Sequence, residues 1–564
     1  SSSEWVALPL MFESRFETGN LDRAYRIGNR EYNLLVSNDT NTRNCTQWFF
    51  FSVIGMEKGQ SYCFNIINLE KTTSQFNKGM LPCVYSEIAA ETKGRGWFRR
   101  GEKVCYYQNL FHKTKGNTLG TMNTKKIPCF TLTWTDVHHM DNDRVYYAYC
   151  LPYTATDMMQ KVRALSKYEV PLAAAIMQTN SSRRQHHSDP STPHLERLKR
   201  LRESKFDGVS GDDKDSDDDI PPPYRKKTTV ERNGVLMRTL LCHSLGGIPV
   251  PLLTITDFSA TPREIAARRY VCLSGRVHPG ESPASYMIDG LIDFLCSDAK
   301  IAQKLRKLVI FKVVPMLNPD GVATGNHRCN LAGHDLNRQW GFPTLGLSPT
   351  IYHWKDLIRS ITEREQTHLD YLQTGIPSDK GVAMFCDFHA HSRSYNIFMY
   401  GCDSKTGVGE RIFPYLLGKT NSNFSYDDCT FKVQGAKTKK ANCGRIVVRK
   451  ECGVLNTYTI ETSFAGISIG PQSGLHLTAS DWSKLGHDFG ATIHYLLQDN
   501  GLPYVQAQAD VLRMVPPKEE KSSPTSNSDR NKLRSSKGKR SSKGKKKKKS
   551  PRRAKTAEGG KRRR

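Results

Sequence analysis

Tyr270-Val-Cys-Leu-Ser-Gly-Arg276-Val-His278-Pro-Gly-Glu281-Ser-Pro-Ala-Ser-Tyr-Met-Ile-Asp-Gly-Leu-Ile-Asp-Phe-Leu-Cys296 carries the strongest structural signal in the chain. Its opening, Tyr270–Ser274, is a buried strand by composition, and Ala284–Cys296 has helical periodicity. Between them lies a tight Pro-Gly loop, Arg276–Ser282. Strand, loop and helix in this order leave His278 and Glu281 at the carboxyl end of a strand, where open α/β sheets bind ligands. An imidazole and a carboxylate on one short loop can reach a single cation. Zinc favours this pairing, and a catalytic site adds a third protein ligand and an open position for water. The bland alternative is a loop histidine beside a surface glutamate, since short motifs also arise by chance.

Outward from this stretch, strand-like and helix-like runs alternate to about Val505. Leu236–His243 and Pro249–Thr256 flank a glycine turn and predict a hairpin. Further strands are expected at Leu308–Val314, Gly381–Phe388, Asn396–Tyr400, Arg445–Arg449 and Thr457–Ile460, with helices at Thr350–Tyr371 and Ser480–Leu497. The class is α/β, a mixed sheet with helices on both faces. Upstream, Gln47–Val53, Tyr62–Ile67, Val104–Tyr107, Phe130–Trp134 and Val145–Tyr149 are short, aromatic and β-branched, which predicts an antiparallel β-sandwich. Tyr146, Tyr147 and Tyr149 are either a recognition surface or ordinary sheet packing, and packing is preferred. His138-His139 near Asp136 is read as a polar turn because no third ligand has suitable spacing.

The expected division is a β-sandwich over 1–155, a helix (Thr156–Lys167) and polar insertion over 156–235, the α/β domain over 236–505 and a basic tail over 506–564. The insertion holds an acidic knot, Asp212–Asp219, then Pro221-Pro-Pro223, and cannot bury enough apolar surface to offset its chain entropy. The knot lacks the glycine and terminal glutamate of an EF-hand loop, so a solvated charge run is preferred to a calcium site. Net charge is +28, and Pro516–Arg564 supplies +17 of it from 21 Lys and Arg against four acids. That tail is a nuclear-localisation element, a polyanion-binding element or simply solvated. The basic body suits a polyanionic partner, nucleic acid or acidic peptide. The 15 scattered cysteines include no Cys-x-x-Cys pair, which suits buried thiols in a reducing compartment. No signal segment is read at Ser1 and no apolar run reaches membrane-spanning length, so a cytoplasmic enzyme is expected.

Three more stretches strengthen the metal reading. Cys386-Asp-Phe-His-Ala-His-Ser392 closes an apolar strand and offers His389 or His391 as third ligand, with Asp387 and Ser392 near enough to orient an imidazole. Asn318-Pro-Asp-Gly321 leads to Arg328 and to Asp335-Leu-Asn-Arg338. Two arginines and an asparagine in one loop system can bind a carboxylate and stabilise an oxyanion. Tyr458-Thr-Ile-Glu461 ends an alternating strand with a carboxylate.

Together, His278-Pro-Gly-Glu281, Asn318–Gly321, Asp335–Arg338, Asp387-Phe-His389 and Tyr458–Glu461 resemble the zinc carboxypeptidase family. Phe12–Leu21 and Phe64–Asn68 resemble the β domain of its cytosolic carboxypeptidase subfamily. The resemblance covers about 12–153 and 236–497, leaving out the acidic insertion and basic tail. It implies one zinc ion held by His278, Glu281 and His389, with Glu461 as general base and then acid. It also implies that Arg328 polarises the scissile carbonyl and that Asn337 and Arg338 grip the terminal carboxylate. The implied substrates are polyglutamylated or acidic protein tails, tubulin foremost, and a microtubule- or cilium-associated site of action. Nucleic acid, through the tail, is a less favoured partner. Arg445, in the basic segment Lys432–Lys450, is expected either to select a departing glutamate or to belong to a solvated loop. Tyr426 lies in the general region where digestive relatives carry a mobile tyrosine, without a secure match. Rival readings are a non-catalytic binder of acidic tails or nucleic acid, and a zinc amidohydrolase of acylated amino acids.

Overall fold

In the N-terminal region, alternation of aromatic and polar residues builds two packed sheets. The computed structural model describes residues 8–43, 45–114, 126–170, 234–371, 381–404, 407–433, 439–498 and 501–515, with side chains of 114, 364–371 and 439–440 left aside. The acidic knot and the Pro516–Arg564 tail lie outside these residues. The strands are β1 (Met11–Glu13), β2 (Arg23–Gly28), β3 (Glu31–Leu35), β4 (Phe50–Ile54), β5 (Ser61–Leu69), β6 (Cys83–Ser86), β7 (Phe98–Arg99), β8 (Glu102–Thr114), β9 (Lys126–Val137) and β10 (Arg144–Ala148). They form sheets of order β1-β4-β10-β6-β7 and β2-β3-β5-β9-β8. All pairs are antiparallel except β3 with β5, a local departure from the expected sandwich. Helix α1 (Glu87–Lys93) follows β6, and α2 (Ala155–Ala164) starts at a Thr154–Asp157 capping box. Tyr147 and Tyr149 are buried core, as the packing reading expects, whereas Tyr146 faces outward and is only partly buried.

The second region contains β11 (Leu236–His243), β12 (Pro249–Ile255), α3 (Pro262–Ala266), β13 (Arg269–Gly275), α4 (Pro283–Cys296), α5 (Lys300–Leu308), β14 (Val309–Val314), α6 (Pro319–Ala323) and α7 (Pro349–Tyr371). Then come β15 (Val382–His391), β16 (Ile397–Tyr400), α8 (Gly409–Thr420), α9 (Gly444–Cys452), β17 (Asn456–Ser463), α10 (Ala479–Leu497) and α11 (Leu502–Met514). The sheet order is β11-β12-β14-β13-β15-β17-β16, with β14, β13, β15 and β17 mutually parallel and the other pairs antiparallel. Trp482, Phe489, Leu291 and Ile288 join a core cluster that continues into the β sandwich through Tyr149 and Trp134. Trp340, Trp354, Phe385 and Val448 form a second cluster. The two long helices α4 and α10 cross where neither can carry a side chain. A Cβ on Gly290 would lie 2.0 Å from the Ser483 carbonyl oxygen, and one on Gly486 would lie 1.8 Å from that of Met287.

Two expectations are corrected. Arg445–Arg449, read as a strand from its β-branched residues, belongs to helix α9, which buries Ile446, Val447 and Val448 and ends at left-handed Gly453. Packing overrides the local preference: a Cβ on Gly444 would press to 2.9 Å on the buried Trp340 ring, so only glycine lets the helix start there. The expected boundary at 505 is passed by α11, whose Ala507 and Val511 are buried. Among the described residues, no helix is long and apolar enough to cross a membrane.

Candidate active site

The carboxyl ends of the parallel strands β13, β15 and β17 meet at one edge of the sheet. His278 and Glu281 stand on the loop leaving β13, where Arg276 adopts φ +59° and its buried guanidinium donates to the Pro279 carbonyl and to Ser285 Oγ. His389 is near the end of β15 and lies directly opposite Glu461 on β17. The potential ligand atoms of His278, Glu281 and His389 lie within 4.8 Å of one another, and all three side chains are buried. His391, the alternative third ligand, turns away, its Nδ1 accepting the Ser394 N–H at 2.9 Å.

Each imidazole is held at both nitrogens. His278 Nδ1 and His389 Nδ1 face the two oxygens of Glu281 at 2.9 and 2.8 Å. Their Nε2 atoms face Asp335 Oδ1 at 3.1 Å and Asp387 Oδ2 at 2.8 Å. A neutral imidazole has one N–H, and an outer carboxylate fixes it on Nε2. Nδ1 is then the nitrogen that faces Glu281, and two such nitrogens around one carboxylate make a place for a cation, a proton when no metal is bound. Two nitrogens and a carboxylate converging on one point fit zinc. Burial pushes Glu281 up, but the two imidazoles outweigh it and hold the carboxylate well below its usual range. Burial lowers His389 while Asp387 and Glu281 raise it further, leaving it well above the ordinary histidine value.

The β domain reaches this edge. Asp39 accepts the backbone N–H groups of His327, Arg328 and Cys329 at 2.6 to 2.7 Å, fixing the loop that carries Arg328. Asp39, Cys45 and Cys329 also converge as potential metal ligands, but those three amides already occupy both Asp39 oxygens. Arg328 donates through Nε and Nη2 to Asp335 Oδ2 at 2.8 and 2.6 Å, so Asp335 ties an arginine to His278. Asn337 Oδ1 accepts the Gly444 N–H at 3.1 Å, and its Nδ2 lies 3.4 Å from His389 Nε2. Arg338 donates to the Asn337 carbonyl at 2.8 Å. The same Asn337 contact brings the start of α9 to the site. Arg445 there donates to the Gly401 carbonyl at 3.3 Å, with its guanidinium 5.3 Å from the Tyr400 ring.

Among the described residues the Glu461 carboxylate has no hydrogen bond. Burial pushes its pKa up to about 8; His389 pulls it down, Glu281 raises it, and Arg328 and Arg445 pull it down. Tyr426 instead packs its ring 5.5 Å from Tyr415, so the structure gives it no part here.

Two groups escaped the sequence reading. Asp335 lay within a quoted motif, and a carboxylate two residues before Asn337 was the available signal. Lys71 had none: it comes from the loop after β5 and donates to Ser392 Oγ at 2.7 Å, so Ser392 serves a lysine of the β domain and not an imidazole.

Comparison with known proteins agrees with this geometry. Residues 227–501 match the model of the zinc carboxypeptidases, and 12–149 match that of the cytosolic carboxypeptidase N-terminal domain. The chain belongs to the zinc carboxypeptidase family. Within it the chain falls among the cytosolic carboxypeptidases. It is 37% identical over 490 residues to cytosolic carboxypeptidase 2 of Xenopus tropicalis, covering 86% of this chain and 41% of that protein. It is 35% identical over 499 residues to cytosolic carboxypeptidase 4 of Mus musculus, covering 85% and 37%. With cytosolic carboxypeptidase 1 of Xenopus laevis it shares 34% over 501 residues, covering 85% and 34%. The expectation from Pro315–Gly321 and Phe398–Gly401 that the chain stands nearest to member 1 of the subfamily is not decided by these similar identities. The chain spans less than half the length of these relatives. A metallo-carboxypeptidase from Burkholderia cenocepacia shares the fold, with TM-score 0.58 at 20% identity over 87% of this chain and 100% of that one.

Proposed function

We propose that this carboxypeptidase uses one zinc ion to remove C-terminal or side-chain-linked glutamates from acidic or polyglutamylated protein tails, tubulin among them. The observation that carries the reading is Glu461 opposite His389 at the sheet edge, beside a ligand set of two imidazoles and a carboxylate. In this assignment His278, Glu281 and His389 hold the metal. Zinc supplies a Lewis acid that makes water a nucleophile near neutral pH. Glu461 takes the proton of the attacking water and returns it to the departing amine, so the peptide bond opens with no net proton change. Arg328, kept oriented by Asp335, faces the oxyanion, while Asn337 and Arg338 receive the terminal carboxylate. Arg338 suits that role through its planar, two-toothed donor geometry.

Preference for glutamate is assigned to Arg445, which enters the site on α9, and to Lys71. Neither has a carboxylate partner among the described residues, so both favour an anionic substrate. The relatives' name is cytosolic, and we place this chain there too. A non-catalytic binder has no use for a base beside a metal cage.

The test follows the mass of a glutamylated tubulin tail incubated with the protein, with and without a zinc chelator. Stepwise, chelator-sensitive loss of glutamate is expected. Binding without loss, or hydrolysis of small acylated amino acids alone, overturns the proposal.

A further inference from the structure

The β domain carries an aromatic cavity that shares no residue with the metal cage. A cavity of about 440 Å³ opens on its surface, lined by Phe50, Tyr85, Glu87, Glu91, Trp97 and Tyr146. Sheet register explains the aromatic floor. Phe50, Tyr146 and Tyr85 come from the adjacent strands β4, β10 and β6, with Tyr146 directly opposite Tyr85. Side chains alternate along β10, so Tyr146 points outward while its neighbours Val145 and Tyr147 enter the core. Trp97 completes a closed circuit of rings. Centroid separations are 5.6 Å from Phe50 to Trp97, 5.5 Å to Tyr85, 6.0 Å on to Tyr146 and 6.1 Å back to Phe50.

The rim is acidic. Glu87 and Glu91 lie four residues apart on α1 and so share one helix face. Glu87 accepts the Tyr146 hydroxyl at 2.8 Å, which fixes one carboxylate at the edge of the floor. Arg144 makes a long, exposed ion pair with Glu87, 4.0 Å from Nε to the carboxylate, which leaves room for a closer donor. Glu91 is exposed and has no ion pair among the described residues. Aromatic faces attract a cation held within about 6 Å of a ring centroid, and carboxylates accept the N–H groups of a guanidinium in pairs. This stretch of surface already seats one such group on an aromatic ring: Arg95 lies 3.7 Å above the Phe98 centroid.

We propose that this cavity is a docking site for the arginine side chain of a basic peptide segment. The guanidinium stacks on the Trp97–Tyr85 floor and donates to Glu87 and Glu91. Guanidinium fits the site better than a simple ammonium because it is planar, weakly hydrated and able to stack and donate at once. The site would hold a basic partner at the β domain while the metal site works on an acidic tail.

The test is calorimetric titration of the whole protein with acetyl-Gly-Gly-Arg-Gly-Gly-amide, whose blocked C-terminus denies it to a carboxypeptidase. Parallel titrations use peptides with citrulline, lysine or trimethyllysine in place of arginine. Saturable binding of the arginine peptide is expected, weakened about tenfold or more by citrulline, which keeps the shape and loses the charge. The isosteric Glu87→Gln/Glu91→Gln variant should weaken binding to a similar degree, and Trp97→Ala should abolish it. Both should retain full zinc-dependent peptidase activity, which shows that they fold. The proposal is overturned by equal binding of arginine and citrulline, by tighter binding of either lysine form, by an indifferent glutamine variant, or by no saturable binding.

Discussion

In the metal cage every ligand side chain has a second partner. His278 leans on Asp335, His389 on Asp387, and Glu281 spans both imidazoles while also accepting the Ala390 N–H at 3.1 Å. The cationic wall around the cage is built the other way. Among the described residues, Arg338, Arg445, Lys71 and the exposed Arg393, next after Ser392, have no carboxylate partner. Arg328 alone is paired, through Asp335. Braced ligands hold their geometry without substrate, and the energy of ordering them is met during folding. Unpaired cations gain a partner only when an anion arrives, so their contribution appears in binding and selectivity.

The largest effects should come from the cage. Glu461→Gln is expected to lower kcat by about 10²- to 10⁴-fold while zinc content stays at one per chain. His389→Ala should remove activity and zinc together. If Glu461→Gln also loses zinc, the separation of base from ligands fails. Next is the bracing: Asp387→Asn should weaken zinc affinity by about 10- to 100-fold, read by competition with a chromogenic chelator. The wall follows, with Arg338→Lys raising KM for a peptide acid and leaving an amidated peptide's binding unchanged. The lost two-toothed contact is worth about 1.5 to 3 kcal/mol, or roughly 10- to 150-fold.

Glu461 also sets a sign for pH dependence. In its proposed role as base Glu461 acts as carboxylate, so kcat/KM should rise with pH through its pKa. Burial, against the pull of His389, sets that value at about 8, and a divalent cation beside it pulls the limb lower. Arg445 favours the charged form. Arg445→Ala should therefore move the ascending limb to higher pH, besides narrowing the preference for glutamate over apolar C-termini. An unmoved limb would separate Arg445 from the base.

The sheet and its cage could be read along the chain because each rests on local pattern. Tyr270–Ser274 and Cys386–His389 end apolar runs with ligand-type residues, and strand ends are where such residues converge. Arg445 misled because Ile446-Val447-Val448 looks like a strand, whereas long-range packing beside Trp340 buries these residues from a helix. The part played by the β domain was illegible for a different reason. Asp39 meets the Arg328 loop across 289 residues and Lys71 meets Ser392 across 321, separations over which no periodicity operates.

Lys71 gives the smallest and sharpest test of the wall. Burial pushes its pKa down to about 7, against the pull of Glu281, and its ammonium donates to Ser392 beside unpaired Arg393. It reaches the end of β15 from the β domain, through Ser392, whereas Arg445 comes in on α9, and we assign it to residues before the scissile bond. Lys71→Ala should lower kcat/KM about threefold to tenfold on a peptide ending Glu-Glu and leave one ending Ala-Glu unchanged, as for a partly solvated charge pair. A group with its pKa near 7 loses charge as pH rises, so wild-type preference for Glu-Glu should itself shrink above that pH, and added salt should shrink it too. Equal loss on both peptides would make Lys71 a prop for Ser392 and leave the selectivity of the wall to Arg445.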